Sequence, residues 1–180
     1  MAASPRRLPT IATLLALATM AAASAAAWPA LPGRIPQHFD LGRDADRWVA
    51  RTPEAWWSLP LIAAGTVAFL FALAWALPRS AEGVNLPDKQ RLLALPRHQQ
   101  RAALEPLAAA LCWVAFVIVL VMGAVQAARF ATATGGPGQV LLIVAGALLV
   151  ALPFPFLFAM GRVQEAIARF SREQPPLATR

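Results

Sequence analysis

The chain has 180 residues, of which 58% are hydrophobic and only 14% are charged, and its formal net charge is +7. A soluble globular domain carries roughly a quarter charged residues, whereas the apolar residues of this chain form long blocks. The composition therefore excludes a soluble enzyme domain, a disordered tail and a coiled coil, and it predicts an integral membrane protein.

Four apolar stretches are long enough to cross a bilayer as helices, since about 20 residues at 1.5 Å rise span its ~30 Å core. They cover residues 9–28, 56–77, 107–127 and 139–161, and none contains Asp, Glu, Lys, Arg or His. Backbone groups in lipid have to be satisfied internally, which favours helices. We expect an all-α integral membrane protein, with four transmembrane helices in a bundle and short amphipathic cytoplasmic segments.

The first stretch allows a second interpretation. Arg6 and Arg7, followed by an Ala- and Leu-rich run and Ala-x-Ala sequences before Trp28, also resemble a secretory signal peptide. The apolar block is longer than the usual signal-peptide core of about 7–15 residues. The sequence therefore favours an uncleaved span, with cleavage near residue 27 as the alternative.

The distribution of Lys and Arg predicts the orientation. The N-terminus, the loop 78–106 and the tail 162–180 carry more basic residues than the segments on the other side. The positive-inside rule places these three segments in the cytoplasm and the loop 29–55 outside the plasma (inner) membrane of a bacterium. Three tryptophans then fall at the outer interface with hydrated N–H groups. They are Trp28, Trp56 and Trp57.

The basic residues do not predict a nucleic-acid partner. They lie at the edges of the apolar blocks, without the stripe of basic and aromatic side chains that is typical of a polyanion-binding surface. Cys112, the single cysteine, lies within an apolar block and has no partner for an intramolecular disulfide. The lipid bilayer is the one partner that composition alone predicts.

The loop after the first span contains the most varied chemistry of the chain. Pro32 and Pro36 prevent a helix and favour extended backbone, and Gly42 among aspartates predicts a tight turn. Thr52 and Pro53 predict the start of the next helix, as its N-cap and its first residue. We therefore expect an ordered loop rather than a flexible linker.

This loop resembles a bacterial membrane family known as domain of unknown function 1648. The family pattern is a first span, then L-P-x-x-I/V-P-x-H-F, a glycine, D-x-W/Y and a basic residue. The candidate recognition loop consists of Pro32, Pro36, His38, Phe39, Asp40, Gly42, Asp46, Trp48 and Arg51. Gly42 lies one place early for the pattern, and an arginine replaces the usual lysine. More distantly the loop is similar to SdpI-like immunity proteins, which are longer, and this implies an immunity or signalling role.

The histidine and aspartates of the loop allow three interpretations. A metal site is disfavoured, because a calcium loop starting at Asp40 needs a carboxylate where Arg51 stands and because zinc needs more His or Cys ligands. Recognition of a ligand or of pH is open, since histidine changes charge near physiological pH and exposed loops carry binding functions. The favoured interpretation is structural, with His38 beside Phe39 and bonded to backbone. The aspartates then cap turns and pair with the arginines of the loop.

The spans offer little chemistry of their own. An ion- or proton-coupled transporter places ionisable side chains at membrane depth, and here the strongly polar residue that stands out, Gln126, lies near the end of a span. Pro153 and Pro155 predict a kink in the fourth span. Small residues within the spans predict close packing of helices. The glycines among them are Gly65, Gly123 and Gly146.

We therefore expect a non-enzymatic accessory, sensor or peptide-immunity-like membrane protein. Its outer loop would contact an extracytoplasmic peptide or a membrane-protein partner, and its basic inner segments would pass on or anchor that contact. No catalytic residue, cofactor or metal site is predicted. The alternatives are a small transporter subunit and a metal-dependent membrane enzyme.

Overall fold

The computed structural model describes residues 4–173, and four of its helical stretches are long and apolar enough to cross a membrane, as expected of a multi-pass membrane protein. The main elements are α1 (Arg7–Ala27), β1 (Arg34–Phe39), β2 (Ala45–Ala50), α2 (Pro53–Ala76), α3 (Lys89–Ala94), α4 (Arg97–Ala133), α5 (Gly138–Ala151) and α6 (Pro153–Glu173). Short 3-10 turns lie at Trp28–Ala30, Leu77–Arg79 and Ala81–Gly83. The candidate spans are α1, α2, α4, and α5 together with α6.

The loop between α1 and α2 is a β-hairpin, so the prediction of an all-α protein was wrong at this point. β1 and β2 pair antiparallel, from Arg34 opposite Ala50 to Phe39 opposite Ala45, and the register shifts on both sides of His38. A proline within β1 is tolerated because both strands of an isolated hairpin are edge strands. The extended backbone that Pro36 favours is thus part of β1.

The start of α2 forms as the sequence predicts. Pro53 is the first residue of the helix, and the Thr52 hydroxyl accepts a hydrogen bond from the Ala55 N–H (3.2 Å). The side chain therefore satisfies one of the amides that lack a partner at a helix N-terminus. This cap fixes the point at which β2 ends and the apolar helix begins.

The central element is α4, which contacts α1, α2, α5 and α6. Its 37 residues make it about 55 Å long at 1.5 Å per residue, well beyond a hydrocarbon core of ~30 Å. Residues 97–106, expected to belong to the loop 78–106, are instead the first turns of this helix. Residues 162–173 likewise continue α6 rather than forming a helix of their own.

Alanines, rather than the glycines of the spans, provide the close contacts of α4. A Cβ added at Gly65, Gly123 or Gly146 would meet no heavy atom within 4 Å outside its own helix backbone. The predicted role of these glycines in close packing was wrong, because Gly65 and Gly146 are exposed and Gly123 borders a cavity between α1 and α4. The buried alanines of α4 include Ala103, Ala108, Ala110 and Ala115.

The fourth apolar stretch is interrupted where the sequence predicts a kink. α5 ends at Ala151 and α6 begins at Pro153. Beyond the interruption, the second half of α6 buries Val163 and Ile167 in a core shared with α4 and the loop before it. The break therefore separates an apolar helix from one with a buried stripe and a charged face.

The two ends of the molecule differ in charge. At the end opposite the hairpin, Arg6 joins α1 to two other helices, because its guanidinium donates to the Ala74 carbonyl (3.0 Å) and pairs with Glu105 (2.8 Å). Most of the Lys and Arg residues lie near this end. We call it the basic end, and we call the other end the hairpin end.

Candidate functional site

The hairpin turn is closed by Asp40 and Asp44. The Asp40 N–H donates to the Asp44 carbonyl (2.9 Å), and the Asp44 N–H donates to the Asp40 carboxylate (2.9 Å). Gly42 lies within this turn, but the left-handed residue is Arg43, with a φ of 70°. A Cβ at Gly42 would lie 3.2 Å from the Asp40 carboxylate. Glycine at this position therefore leaves room for the Asp40 carboxylate and is not there for its φ angle.

His38 and Asp46 face each other across the two strands. Nδ1 of His38 lies 2.7 Å from a carboxylate oxygen of Asp46, and the side chains are 59% and 47% exposed. The prediction that His38 bonds to backbone was therefore wrong. A solvent-exposed pair of this kind contributes about 0–1 kcal/mol to stability, so its main effect is to place an imidazole and a carboxylate together on the surface.

Within residues 4–173, the loop aspartates form no ion pairs with Arg43, Arg47 or Arg51, and that prediction was wrong. Asp44 instead accepts a hydrogen bond from Nε2 of Gln139 in the first turn of α5 (3.0 Å). Arg51 donates to the Leu31 carbonyl (2.7 Å) and lies over the Trp28 ring, 5.1 Å from its centroid. The arginine at the family's basic position thus fastens the end of β2 to the end of α1.

The other residues of the predicted recognition loop separate into a buried and an exposed group. Pro36 is buried together with its neighbour Ile35, which packs in a core containing Leu31 and Trp56. Trp48 and Phe39 are half-buried, and Pro32 is exposed. The indole N–H of Trp48 donates to the Ala45 carbonyl (3.2 Å). The structure therefore brings only His38 and Asp46 together as a pair of exposed polar groups.

A buried polar cluster lies beneath the hairpin, centred on Arg129 of α4, which is 4% exposed. Its guanidinium donates to the carbonyls of Pro36 in β1 (2.9 Å) and Ala55 in α2 (2.7 Å). A third bond runs to Oε1 of Gln126 (3.0 Å). In the part of the chain that the structure describes, Arg129 has no carboxylate partner. One side chain of α4 therefore holds both the hairpin and the start of α2.

Gln126 and Trp56 extend this cluster to α1. Nε2 of Gln126 donates to the Trp56 carbonyl (3.2 Å), and Nε1 of Trp56 donates to the Ser24 carbonyl (2.9 Å). Trp56 is 1% exposed, and the Arg129 guanidinium lies 5.5 Å from its ring centroid. The prediction of a hydrated N–H on Trp56 was wrong, because the Ser24 carbonyl takes the place of water. The position of Trp56 at the outer membrane interface stays a prediction.

The contact with Ser24 bears on the processing of the chain. Ser24 lies in the Ala-rich stretch that also resembles a signal-peptide cleavage region, and it is 2% exposed. Cleavage after it would remove the acceptor of the Trp56 indole. The contact favours retention of α1 in the mature chain, which stays a prediction.

The buried cluster is not predicted from the sequence. By sequence alone, Arg129 is interpreted as a charged residue of a loop, and Gln126 is interpreted as a polar residue at the end of a span. Their spacing of three residues places them on one face of α4. A polar residue and an arginine on one helix face, beside a long apolar stretch, are the signal that identifies such a site. Ser24 and Trp56 carry no such signal, because their partners are remote in sequence.

The exposed groups of the hairpin are of mixed polarity. Among residues 4–173, no group of three or more His, Cys, Asp and Glu side chains is close enough to hold a metal ion. The exposed surface instead combines the His38–Asp46 pair with Leu41, which is fully exposed at the tip of the turn. Such a combination of donors, acceptors and an apolar tip suits contact with another chain.

One part of the chain matches a known family model. Residues 14–64 match the model of the domain of unknown function DUF1648. This confirms the resemblance that the loop predicts. The DUF1648 segment begins within α1, includes the whole hairpin and ends within α2, so it contains Ser24 and Trp56 of the buried cluster but not Gln126 or Arg129. No curated protein and no solved structure matches the chain.

Proposed function

We propose that this chain is a non-enzymatic membrane accessory or sensor protein whose hairpin contacts a peptide or a membrane-protein partner outside the cytoplasm. The DUF1648 segment and the four apolar helices support a membrane protein of this general kind. The distribution of Lys and Arg supports a bacterial plasma membrane orientation with the hairpin outside and both termini in the cytoplasm.

The observation that carries the proposal is the threefold contact of Arg129. A partner that moves β1 displaces the Pro36 carbonyl, to which Arg129 is bonded. Because α4 is continuous from the hairpin end to Arg97, a shift at one end is coupled mechanically to the other. In this proposal the hairpin is the surface for recognition, and α4 is the element that conveys its position to the basic end.

The exposed groups of the hairpin indicate the chemistry of the partner. His38 and Asp46 present a ring and a carboxylate, Arg47 adds a positive charge, and Leu41 adds an apolar contact. A peptide with both polar and apolar side chains matches this surface. A secreted antimicrobial peptide fits this description and is the partner that an immunity role requires.

The proposal is tested by deleting the gene and challenging the cells with secreted antimicrobial peptides. We expect the deletion to raise sensitivity to at least one peptide and the wild-type chain to restore resistance. His38→Ala is expected to restore it only in part, at normal protein level, since the exposed pair is lost while the buried cluster is intact. Glu82→Gln, which changes an exposed charge in the 78–96 loop, is the matched control and is expected to restore it fully.

Two outcomes would contradict the proposal. Unchanged sensitivity of the deletion strain to all peptides would remove the immunity role. If a double variant with His38→Ala and Asp46→Asn restores full resistance at normal protein level, the exposed groups of the hairpin are not the recognition surface.

A further inference from the structure

A cavity lined by arginines lies between α4 and α6 at the basic end. Its volume is about 480 Å³, and the charged residues that line it are Arg162, Arg169, Arg172 and Glu165. All four belong to α6, while the facing wall is formed by α4. We call this cavity the polar chamber.

A second cavity continues from the polar chamber towards the apolar part of α6. Its volume is about 500 Å³, and its apolar lining includes Trp113 of α4 together with Pro155 and Phe158 of α6. We call it the apolar chamber. The two chambers share lining residues and therefore form one groove. The shared residues are Ala102, Pro106 and Arg162.

The arginines of the polar chamber have no carboxylate partner among residues 4–173. Arg162 lies 6.0 Å from the centroid of the Phe158 ring, and Arg172 donates to the Ala168 carbonyl (3.2 Å). Glu165 is the one acid that lines the polar chamber, so the chamber carries a net positive charge. The acid of the apolar chamber, Glu105, is already paired with a cation, as described above.

The groove crosses the boundary between the apolar and the charged surface of α6. Phe154, Leu157 and Phe158 are more than half exposed, and the charged residues begin at Arg162. From Pro155 to Arg172, α6 rises about 25 Å at 1.5 Å per residue. One leaflet of a bilayer, with its headgroups, is about 20–22 Å thick. The groove therefore has the length and the polarity profile of one lipid molecule.

We propose that this groove binds one anionic phospholipid, with its phosphate among Arg162, Arg169 and Arg172 and an acyl chain along the apolar chamber. Guanidinium groups bind phosphate oxygens through charge-assisted, often bidentate hydrogen bonds. Basic pockets between membrane helices bind acidic headgroups for the same reason. This site lies at the opposite end of α4 from the hairpin and does not rest on the function proposed for the hairpin.

The site is tested by native mass spectrometry of the full chain, purified in detergent and incubated with phosphatidylglycerol or with phosphatidylcholine. We expect one phosphatidylglycerol molecule to be retained, with at least about tenfold preference over phosphatidylcholine, since each arginine near the phosphate adds to the attraction. Equal retention of the two lipids would overturn the proposal.

Charge-matched variants separate the groove from the general positive charge of this end. The triple variant R162Q/R169Q/R172Q is expected to lose most of the bound phosphatidylglycerol. The control R91Q/R97Q/R101Q, which removes three arginines outside the groove, is expected to retain it. Equal loss in both variants, or loss in neither, would contradict a specific site.

A variant without a change of charge tests the shape of the groove. Ala102 lines both chambers, so Ala102→Trp is expected to displace the lipid, whereas Ala68→Trp on the exposed face of α2 is not. Helix content measured by circular dichroism verifies that each variant is folded. If the triple variant is unfolded, lipid binding by Ala102→Trp tests the groove in its place. Displacement of the lipid by millimolar inorganic phosphate would show a phosphate site without an acyl chain and would overturn the proposal.

Discussion

Arg129 at the hairpin end and the arginines of the groove at the basic end differ in what their guanidinium groups contact. Arg129 is buried, and its guanidinium donates to three acceptors of the protein. Arg162 and Arg169 line an open chamber and have no carboxylate partner within residues 4–173. A satisfied, buried guanidinium holds the fold together, whereas one that faces an open cavity is available to a ligand. Substitutions at the two ends should therefore separate stability from binding.

The largest effect on stability is expected for Arg129→Gln. The substitution leaves the Pro36 and Ala55 carbonyls without their donor, which we expect to cost about 3 kcal/mol of unfolding free energy. Equilibrium unfolding in detergent measures the loss. Arg129→Lys keeps the charge but not the planar fork, so an intermediate loss is expected. A change below about 0.5 kcal/mol, the range of ordinary surface substitutions, would show that the cluster does not hold the fold.

A smaller loss is expected for Trp56→Phe, which keeps an aromatic ring but removes the N–H that is bonded to Ser24. Loss of one buried hydrogen bond costs about 1–2 kcal/mol. The matched control is Trp75→Phe, since Trp75 is 61% exposed and its replacement should leave the unfolding free energy nearly unchanged. Equal effects of the two substitutions would contradict the burial of Trp56.

A gain in stability is expected for Arg43→Gly. Arg43 has a φ of 70°, a left-handed conformation that costs a residue with a Cβ about 1 kcal/mol relative to glycine. Gly42→Ala is the opposing control and should destabilise, because its Cβ would crowd the Asp40 carboxylate. The two unfolding free energies, measured in parallel, test whether the left-handed position is residue 43. A loss of stability in Arg43→Gly would contradict it.

The smallest effect on stability per substituted residue is expected at the basic end. The R162Q/R169Q/R172Q variant should change the unfolding free energy by less than about 0.5 kcal/mol per substitution, as is usual for surface positions. Unfolding in detergent without added phospholipid is the measurement. A loss as large as that of Arg129→Gln would show that these arginines hold the fold together and would remove the contrast between the two ends.

The elements that sequence reasoning predicts are those determined by neighbouring residues. The cap at Thr52 and the interruption before Pro153 each depend on local chemistry, and the structure contains both. The turn shows the limit of this reasoning. Gly42 correctly predicts the position of the turn, but the left-handed residue is Arg43. Arg43 stands one place after Gly42, where the family pattern has its glycine.

The buried cluster could not be predicted, because its members come together only in the folded chain. Ser24, Pro36 and Trp56 lie far in sequence from Arg129. From the sequence, an arginine at the end of an apolar stretch is as consistent with an exposed residue at the membrane interface as with a buried one. Only the folded structure shows that the guanidinium is buried against a hairpin carbonyl. The same holds for the groove, since the spacing of arginines on α6 does not reveal the cavity against α4.

Amide hydrogen exchange of the hairpin tests most directly whether Arg129 holds it in place. Exchange is measured by mass spectrometry on the wild-type chain and on Arg129→Gln in the same detergent, with α4 residues 97–110 as the internal control. We expect residues 34–50 to exchange at least about tenfold faster in the variant, because the hairpin opens locally, while residues 97–110 are unchanged. Unchanged exchange of the hairpin in a folded variant would contradict the account.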